Sequence, residues 1–151
     1  MRGRAGARAC DNSIVTPDPR RQLAEFFAAD SHGTVAVYLF GSIARGEATD
    51  ASDVDVAVLF DKAPESTLSG AALTLEGDIE RRLGRPVDLL NLNRAPSDLV
   101  HRVLRDGVIV FDGDRSRRLR FEVDKRNEFF DMEPVRRRYR QRAGQVSAAT
   151  S

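Results

Sequence analysis

The stretch Val35–Phe60, VAVYLFGSIARGEATDASDVDVAVLF, constrains the fold more than any other part of the chain. Val35 to Phe40 is almost wholly apolar, the composition of a strand covered on both faces. Gly41-Ser42 breaks that run, and a short helix is expected over Ser42–Gly46, followed by a polar loop over Glu47–Ser52. A second apolar run, Asp53 to Phe60, opens with two aspartates. Two strands of this kind need further strands beside them and helices on both faces, which commits the chain to a layered architecture of helices and sheet.

The flanking sequence supplies those layers. Asp18-Pro19 reads as a helix start, with Leu23, Phe26 and Phe27 on one face. Thr67–Leu83 repeats apolar residues at helical spacing (Leu68, Ala72, Leu75, Ile79, Leu83), and Gly84 supplies the stop. Pro86–Leu90 is a third strand, Pro96–Asp106 a helix ended by Gly107, and Val108–Phe111 a fourth strand. An Arg-rich helical segment runs from about Asp114 to Gln141, and Pro134 predicts a break or kink within it. The expected fold is α+β: an α/β-type mixed sheet of about four strands with flanking helices. A single domain is expected over 17–142, after a disordered Arg-rich leader (1–16) and before a flexible tail (143–151).

Composition removes several classes of function. A length of 151 residues suits one compact domain. A formal net charge of +1 creates no field committing the chain to nucleic acid or to a membrane, so direct nucleic-acid binding is not expected. The single cysteine, Cys10, excludes an internal disulfide and a Cys-rich zinc site. No apolar run approaches membrane-spanning length. The basic N-terminus lacks the apolar stretch of a secretory signal, so a cytoplasmic location is the expectation.

The chemistry lies in the central stretch. Asp53 and Asp55, two apart on a strand, point to one face about 6 to 7 Å apart. Like charges held together are costly, and a divalent cation removes the cost. Hard oxygen ligands on a short rigid element suit Mg²⁺, which retains waters and accepts phosphate oxygens. An Asp-x-Asp pair alone is weak evidence, since charged loops carry it too. Gly41-Ser42 strengthens it, because a strand-to-helix junction aims backbone N–H groups and a hydroxyl at one point, where an anion can sit. An ordinary strand-to-helix turn favours the same dipeptide. Asp88 is the third carboxylate, in the otherwise apolar strand PVDLL. It meets the first two if that strand lies beside theirs, or points outward if the strand is an edge.

Gly41-Ser42, ten residues, then Asp53-Val54-Asp55 resembles the signature of the DNA polymerase β-like nucleotidyltransferase superfamily. FGSIARGEATDASDVDVAVLF is similar nearly throughout to its minimal nucleotidyltransferase (MNT) members, the antitoxin partners of HEPN-domain toxins. The resemblance extends over roughly Gln22–Tyr139. It implies two Mg²⁺ ions held by Asp53, Asp55 and Asp88, with ATP as substrate and its β- and γ-phosphates gripped by Gly41 and Ser42. Arg45 and Ser52 fall within the matching stretch as nucleotide-binding candidates, Arg45 being equally well explained as a surface residue. Asp88 would also favour deprotonation of the attacking hydroxyl. The implied acceptor is a tyrosine hydroxyl of a HEPN toxin, silenced by adenylylation. Transfer to a small molecule such as an aminoglycoside is a second reading. Neutralisation by binding alone is a third.

Other residues attract less weight. His101 reads as surface or core edge on an amphipathic helix, His32 sits in a helix-ending loop, and Cys10 needs no role. In Arg115–Arg142 the interleaved Phe121, Phe129, Phe130, Met132 and Tyr139 are most simply core-facing, although an Arg-bearing helical face also offers a partner a place to dock.

Overall fold

A computed structural model of the chain describes residues 17–63 and 70–148. Helix α1 (Pro19–Ala29) begins where expected: the Asp18 carboxylate accepts the Arg20 N–H at 3.0 Å, and proline takes the first helical position. Strand β1 (Thr34–Phe40), helix α2 (Gly41–Ala44) and strand β2 (Val54–Phe60) follow. Helix α3 (Ala71–Leu83) is closed by Gly84 at φ 65°. Then come β3 (Val87–Asn91), α4 (Ser97–Asp106), β4 (Val108–Asp112) and α5 (Arg115–Ala148). The element order matches the sequence pattern, with most boundaries moved by a residue or two. The leader 1–16 with Cys10, the expected first turn of α3 (67–69, with Leu68) and residues 149–151 lie outside the described residues.

The strands form one mixed sheet in the order β3-β2-β1-β4. β1 is antiparallel to both neighbours, and β3 runs parallel to β2. α3 provides the crossover that this parallel pairing requires. Alternation along β1 and β2 splits the core in two. Val37, Leu39, Val54, Val56 and Val58 meet Leu23 and Phe27 of α1 and Leu75 and Ile79 of α3. Ala36, Tyr38, Ala57 and Leu59 face the other way, toward Val100 and Val103 of α4. Cover on both sides is the reason both strands are apolar throughout. β3 is an edge, yet its outward N–H groups are satisfied from α3: Val87 donates to Glu80 Oε1 and Leu89 to Glu76 Oε2, each at 3.1 Å. Those two glutamates blunt an edge that could otherwise pair with another chain.

Helix α5 corrects two expectations. Of the break or kink expected at Pro134, the break does not occur: the helix runs on to Ala148. The turn that proline opens is served by Arg136, which donates to the Phe129 carbonyl at 3.2 Å and to Ser97 Oγ of α4 at 3.0 Å. These two bonds tie the turn around Pro134 to α4. The aromatic residues of α5 also divide. Phe121 packs under the helix against the sheet. Phe129 stacks on His101 with ring centroids 3.9 Å apart, under the Arg136 guanidinium at 4.4 Å. Phe130, Met132 and Tyr139, expected in the core, are 61%, 45% and 69% exposed. A helix of 34 residues outruns the sheet, so its distal half has only one side to bury. His101 accordingly lies at the core edge.

A buried polar network fixes α5 to the sheet. The Tyr38 hydroxyl donates to Glu122 Oε1 at 2.7 Å, and Arg118 donates to the same oxygen at 2.7 Å. Arg118 also grips both Asp112 oxygens at 3.0 Å. Burial, with the Glu122 carboxylate acting the same way, pushes the Tyr38 phenol well above its ordinary range, so it remains a neutral donor.

Candidate active site

Gly41 follows directly on Phe40, and Phe40 pairs across the sheet with Asp55. Gly41 has φ 70°, and a Cβ at this position would lie 2.8 Å from the Asp55 carboxyl carbon. Glycine alone satisfies both the left-handed backbone and that approach. The turn carrying Gly41 and the half-buried Ser42 therefore lies against a carboxylate, with no side chain between them. α2 itself is a single turn, closed by the Arg45 N–H on the Gly41 carbonyl at 3.2 Å and by Gly46 at φ 72°.

The parallel ladder places Asp88 of β3 in register with Asp55 of β2. Strands so paired are about 4.8 Å apart. Asp53 emerges just ahead of β2, two residues before Asp55. By alternation all three share the sheet face of Ala57, Leu59 and Leu90, the face that α4 and α5 cover further along. Asp53 and Asp88 are exposed, and Asp55 is half-buried. Both possibilities for Asp88 are thus realised: its strand is an edge, and it stands beside Asp55.

Burial raises the Asp55 carboxyl above the ordinary carboxylate range. The charges of Asp88 and then Asp53 push it the same way, while Arg45 opposes them. Among the described residues no three acidic or imidazole side chains close into a cage. The carboxylates line an open face instead. Oxygen donors with free directions, beside a cradle that a Cβ would fill, fit Mg²⁺ completing its shell with waters and phosphate oxygens.

The remaining candidates separate. Arg45 is exposed and donates to Glu47 Oε2 at 3.0 Å, while its charge still reaches Asp55. Ser52 builds the loop: its Oγ accepts the Thr49 N–H at 2.9 Å, and its own N–H donates to the Thr49 carbonyl at 3.0 Å. Arg85, which the sequence reading passed over, closes the same loop by donating from Nη2 to the carbonyls of Thr49 (3.0 Å) and Ser52 (2.6 Å). Pro86, next to Arg85, accepts the Val54 N–H at 2.9 Å. Arg85 thereby joins the segment that delivers Asp53 to the one that delivers Asp88. Its only sequence signal is its place one residue before a strand that carries a carboxylate.

Three comparisons with known proteins concern the family and the fold. Residues 21–116 match the family model "Polymerase beta, Nucleotidyltransferase". The protein adenylyltransferase MntA of Thermococcus cleftensis is 38% identical over 98 residues, covering 65% of this chain and 90% of that protein. Among solved structures, a toxin–antitoxin complex with AMP-PNP contains a chain that superposes with a TM-score of 0.69 at 22% identity, over 82% of this chain and 97% of the other. A chain of the complex between tri-AMPylated Shewanella oneidensis HEPN toxin and MNT antitoxin gives 0.65 at 19% identity, over 83% and 95%. At these identities the two superpositions establish the fold. The family match and the identity to MntA establish descent: the chain belongs to the polymerase β-type nucleotidyltransferase family.

Proposed function

We propose that the chain transfers AMP from ATP to a tyrosine hydroxyl of a partner HEPN toxin and, by that transfer, acts as the toxin's antitoxin in the cytoplasm. The observation that carries this reading is the register of Asp55 with Asp88 at the strand end where Gly41 lies against Asp55. A protein acceptor is supported by the 38% identity to a protein adenylyltransferase. The complexes that share the fold, one with AMP-PNP and one with a tri-AMPylated HEPN toxin, name the ligand classes to test first.

Asp53 and Asp55 would hold Mg²⁺, and Asp88 would complete a second site. The bound metals would neutralise phosphate charge and lower the cost of the entering and leaving oxygens. The backbone at Gly41 and the Ser42 hydroxyl hold the β- and γ-phosphates, leaving the α-phosphorus toward the carboxylate face. Asp88, on the exposed edge strand, receives the proton of the incoming phenol, whose ordinary pKa near 10 makes such help necessary at neutral pH. The phenolate oxygen bonds to the α-phosphorus as the bond to the bridging oxygen breaks, and pyrophosphate leaves. Arg45 contributes positive charge at the mouth of the site, and Ser52 and Arg85 hold the loop that positions Asp53.

Growth arrest by the toxin tests the reading. Co-expression of the intact chain relieves the arrest, and co-expression of Asp53→Asn/Asp55→Asn leaves it. Equal relief by both would reject transfer in favour of neutralisation by binding.

A further inference from the structure

Helix α5 presents a largely exposed face, met by α4 only where the Phe130 ring stands edge-on to His101 at 6.1 Å. Leu119, Val123, Phe130 and Pro134 follow one another at intervals of four, seven and four residues, which puts them on one side of a helix. The first three are 43%, 52% and 61% exposed. Phe130, Pro134, Arg137 and Arg138 are among the residues lining a groove of about 450 Å³ on this side. Charge accompanies the apolar stripe: residues 136–142 contain five arginines and no acidic residue. Arg136 is committed to Ser97 and Arg140 to Glu133. Among the described residues Arg137, Arg138 and Arg142 have no ion-pair partner.

We infer that this face docks an acidic, amphipathic helix of the protein that receives the nucleotide. The inference rests on the reading that the acceptor is a protein. The heptad-like spacing of the apolar residues selects a helix, and the unpaired arginines select acidic flanks. A second copy in parallel register would set arginine against arginine, and the leader 1–16, with Arg2, Arg4 and Arg8 against one aspartate, would be repelled as well. RNA would satisfy the arginines and leave the Leu119–Phe130 stripe in water. Position agrees with the task. The proximal half of α5 packs through Phe121 on the sheet face to which Asp55 and Asp88 belong, so a partner held on α5 stands on the side from which an acceptor reaches the site.

The test uses the full chain and its cognate HEPN toxin, with two double variants, Val123→Asp/Phe130→Asp and Arg137→Glu/Arg138→Glu. All four side chains are exposed, so circular dichroism, melting temperature and Mg²⁺-dependent AMP-PNP binding should match wild type. Affinity for the toxin, measured by calorimetry, should fall at least about tenfold in each, and raised salt should shrink the wild-type advantage over the arginine variant. Adenylylation should slow at low toxin concentration and recover at high concentration. Undiminished affinity and modification in both variants would overturn this inference alone. A wild-type chain that neither binds nor modifies the toxin would overturn it together with the functional reading. A homodimer broken by Phe130→Asp, or RNA binding lost in the arginine variant while toxin affinity holds, would reassign the face.

Discussion

Gly41 and Gly46 share a backbone conformation, φ 70° and 72°, and differ in what surrounds them. An added Cβ at Gly46 meets nothing within 4 Å, whereas at Gly41 it would lie 2.8 Å from Asp55 Cγ and 3.2 Å from Asp55 Cβ. Alanine at either position carries the left-handed penalty of about 1 to 2 kcal/mol. For a domain of this size that lowers the melting temperature by roughly 2 to 4 °C per kcal/mol. Gly41→Ala must in addition drive Asp55 outward. Carbon–carbon contact is comfortable at about 3.5 Å, and Asp55 Oδ2 lies closer still than Cγ, so the carboxylate retreats on the order of 1 Å. Misplacement of about 1 Å at a reacting centre costs on the order of a hundredfold in rate. The two variants should therefore melt within a few degrees of each other, while only Gly41→Ala loses about a hundredfold in adenylyl transfer. Urea and thermal melts measure the first quantity, and intact-mass time courses of the toxin measure the second. Equal activity in the two variants, or equal loss, would show that the approach of Gly41 to Asp55 does not position the site.

Other expectations follow from the same geometry. Asp55→Asn should raise the melting temperature of the metal-free protein at neutral pH, because the fold disfavours the ionised carboxyl that burial and its neighbours hold above the ordinary range. That gain should vanish as pH falls below the ordinary carboxylate range, where Asp55 is protonated in folded and unfolded chains alike, and melts across pH check both limbs. The same variant should lose the stabilisation that Mg²⁺ with AMP-PNP confers on wild type. Arg85→Ala should weaken Mg²⁺-dependent AMP-PNP binding about tenfold, equivalent to about 1.4 kcal/mol, with partial recovery in Arg85→Lys, as read by calorimetry. Tyr38→Phe should cost about 1.5 kcal/mol in urea melts, since Glu122 keeps Arg118. Arg118→Met should cost about 3 to 5 kcal/mol, since the buried Glu122 carboxylate then stays without its cation.

Much of this arrangement is legible in the residues, and the illegible parts share a cause. The strand-and-turn unit is local: apolar runs ended by Gly-Ser or opened by Asp state their own structure, and β1, β2 and the turn at Gly41 lie where periodicity puts them. The meeting of Asp55 with Asp88 depends on which strand pairs with β2 and in what register, information carried by the α3 crossover and by no residue near either aspartate. Ser52 shows the limit of motif reading, since nothing in the motif indicates that its hydroxyl oxygen accepts the Thr49 N–H. Arg85 and the Tyr38–Glu122–Arg118–Asp112 network escape because the partners are distant in sequence: Tyr38 and Glu122 are 84 residues apart. The exposed aromatic residues of α5 depart from the core-facing expectation for a related reason. Aromatic residues at helical spacing imply burial only where something stands opposite, and here the described fold ends before the helix does.

The intact mass of the cognate HEPN toxin, produced with this chain and separately with its Asp53→Asn/Asp55→Asn form, tests the central claim most directly. The account predicts toxin heavier by whole adenylyl groups with the intact chain and unmodified toxin with the variant. Unmodified toxin in a stable complex with the intact chain would contradict transfer as the basis of neutralisation.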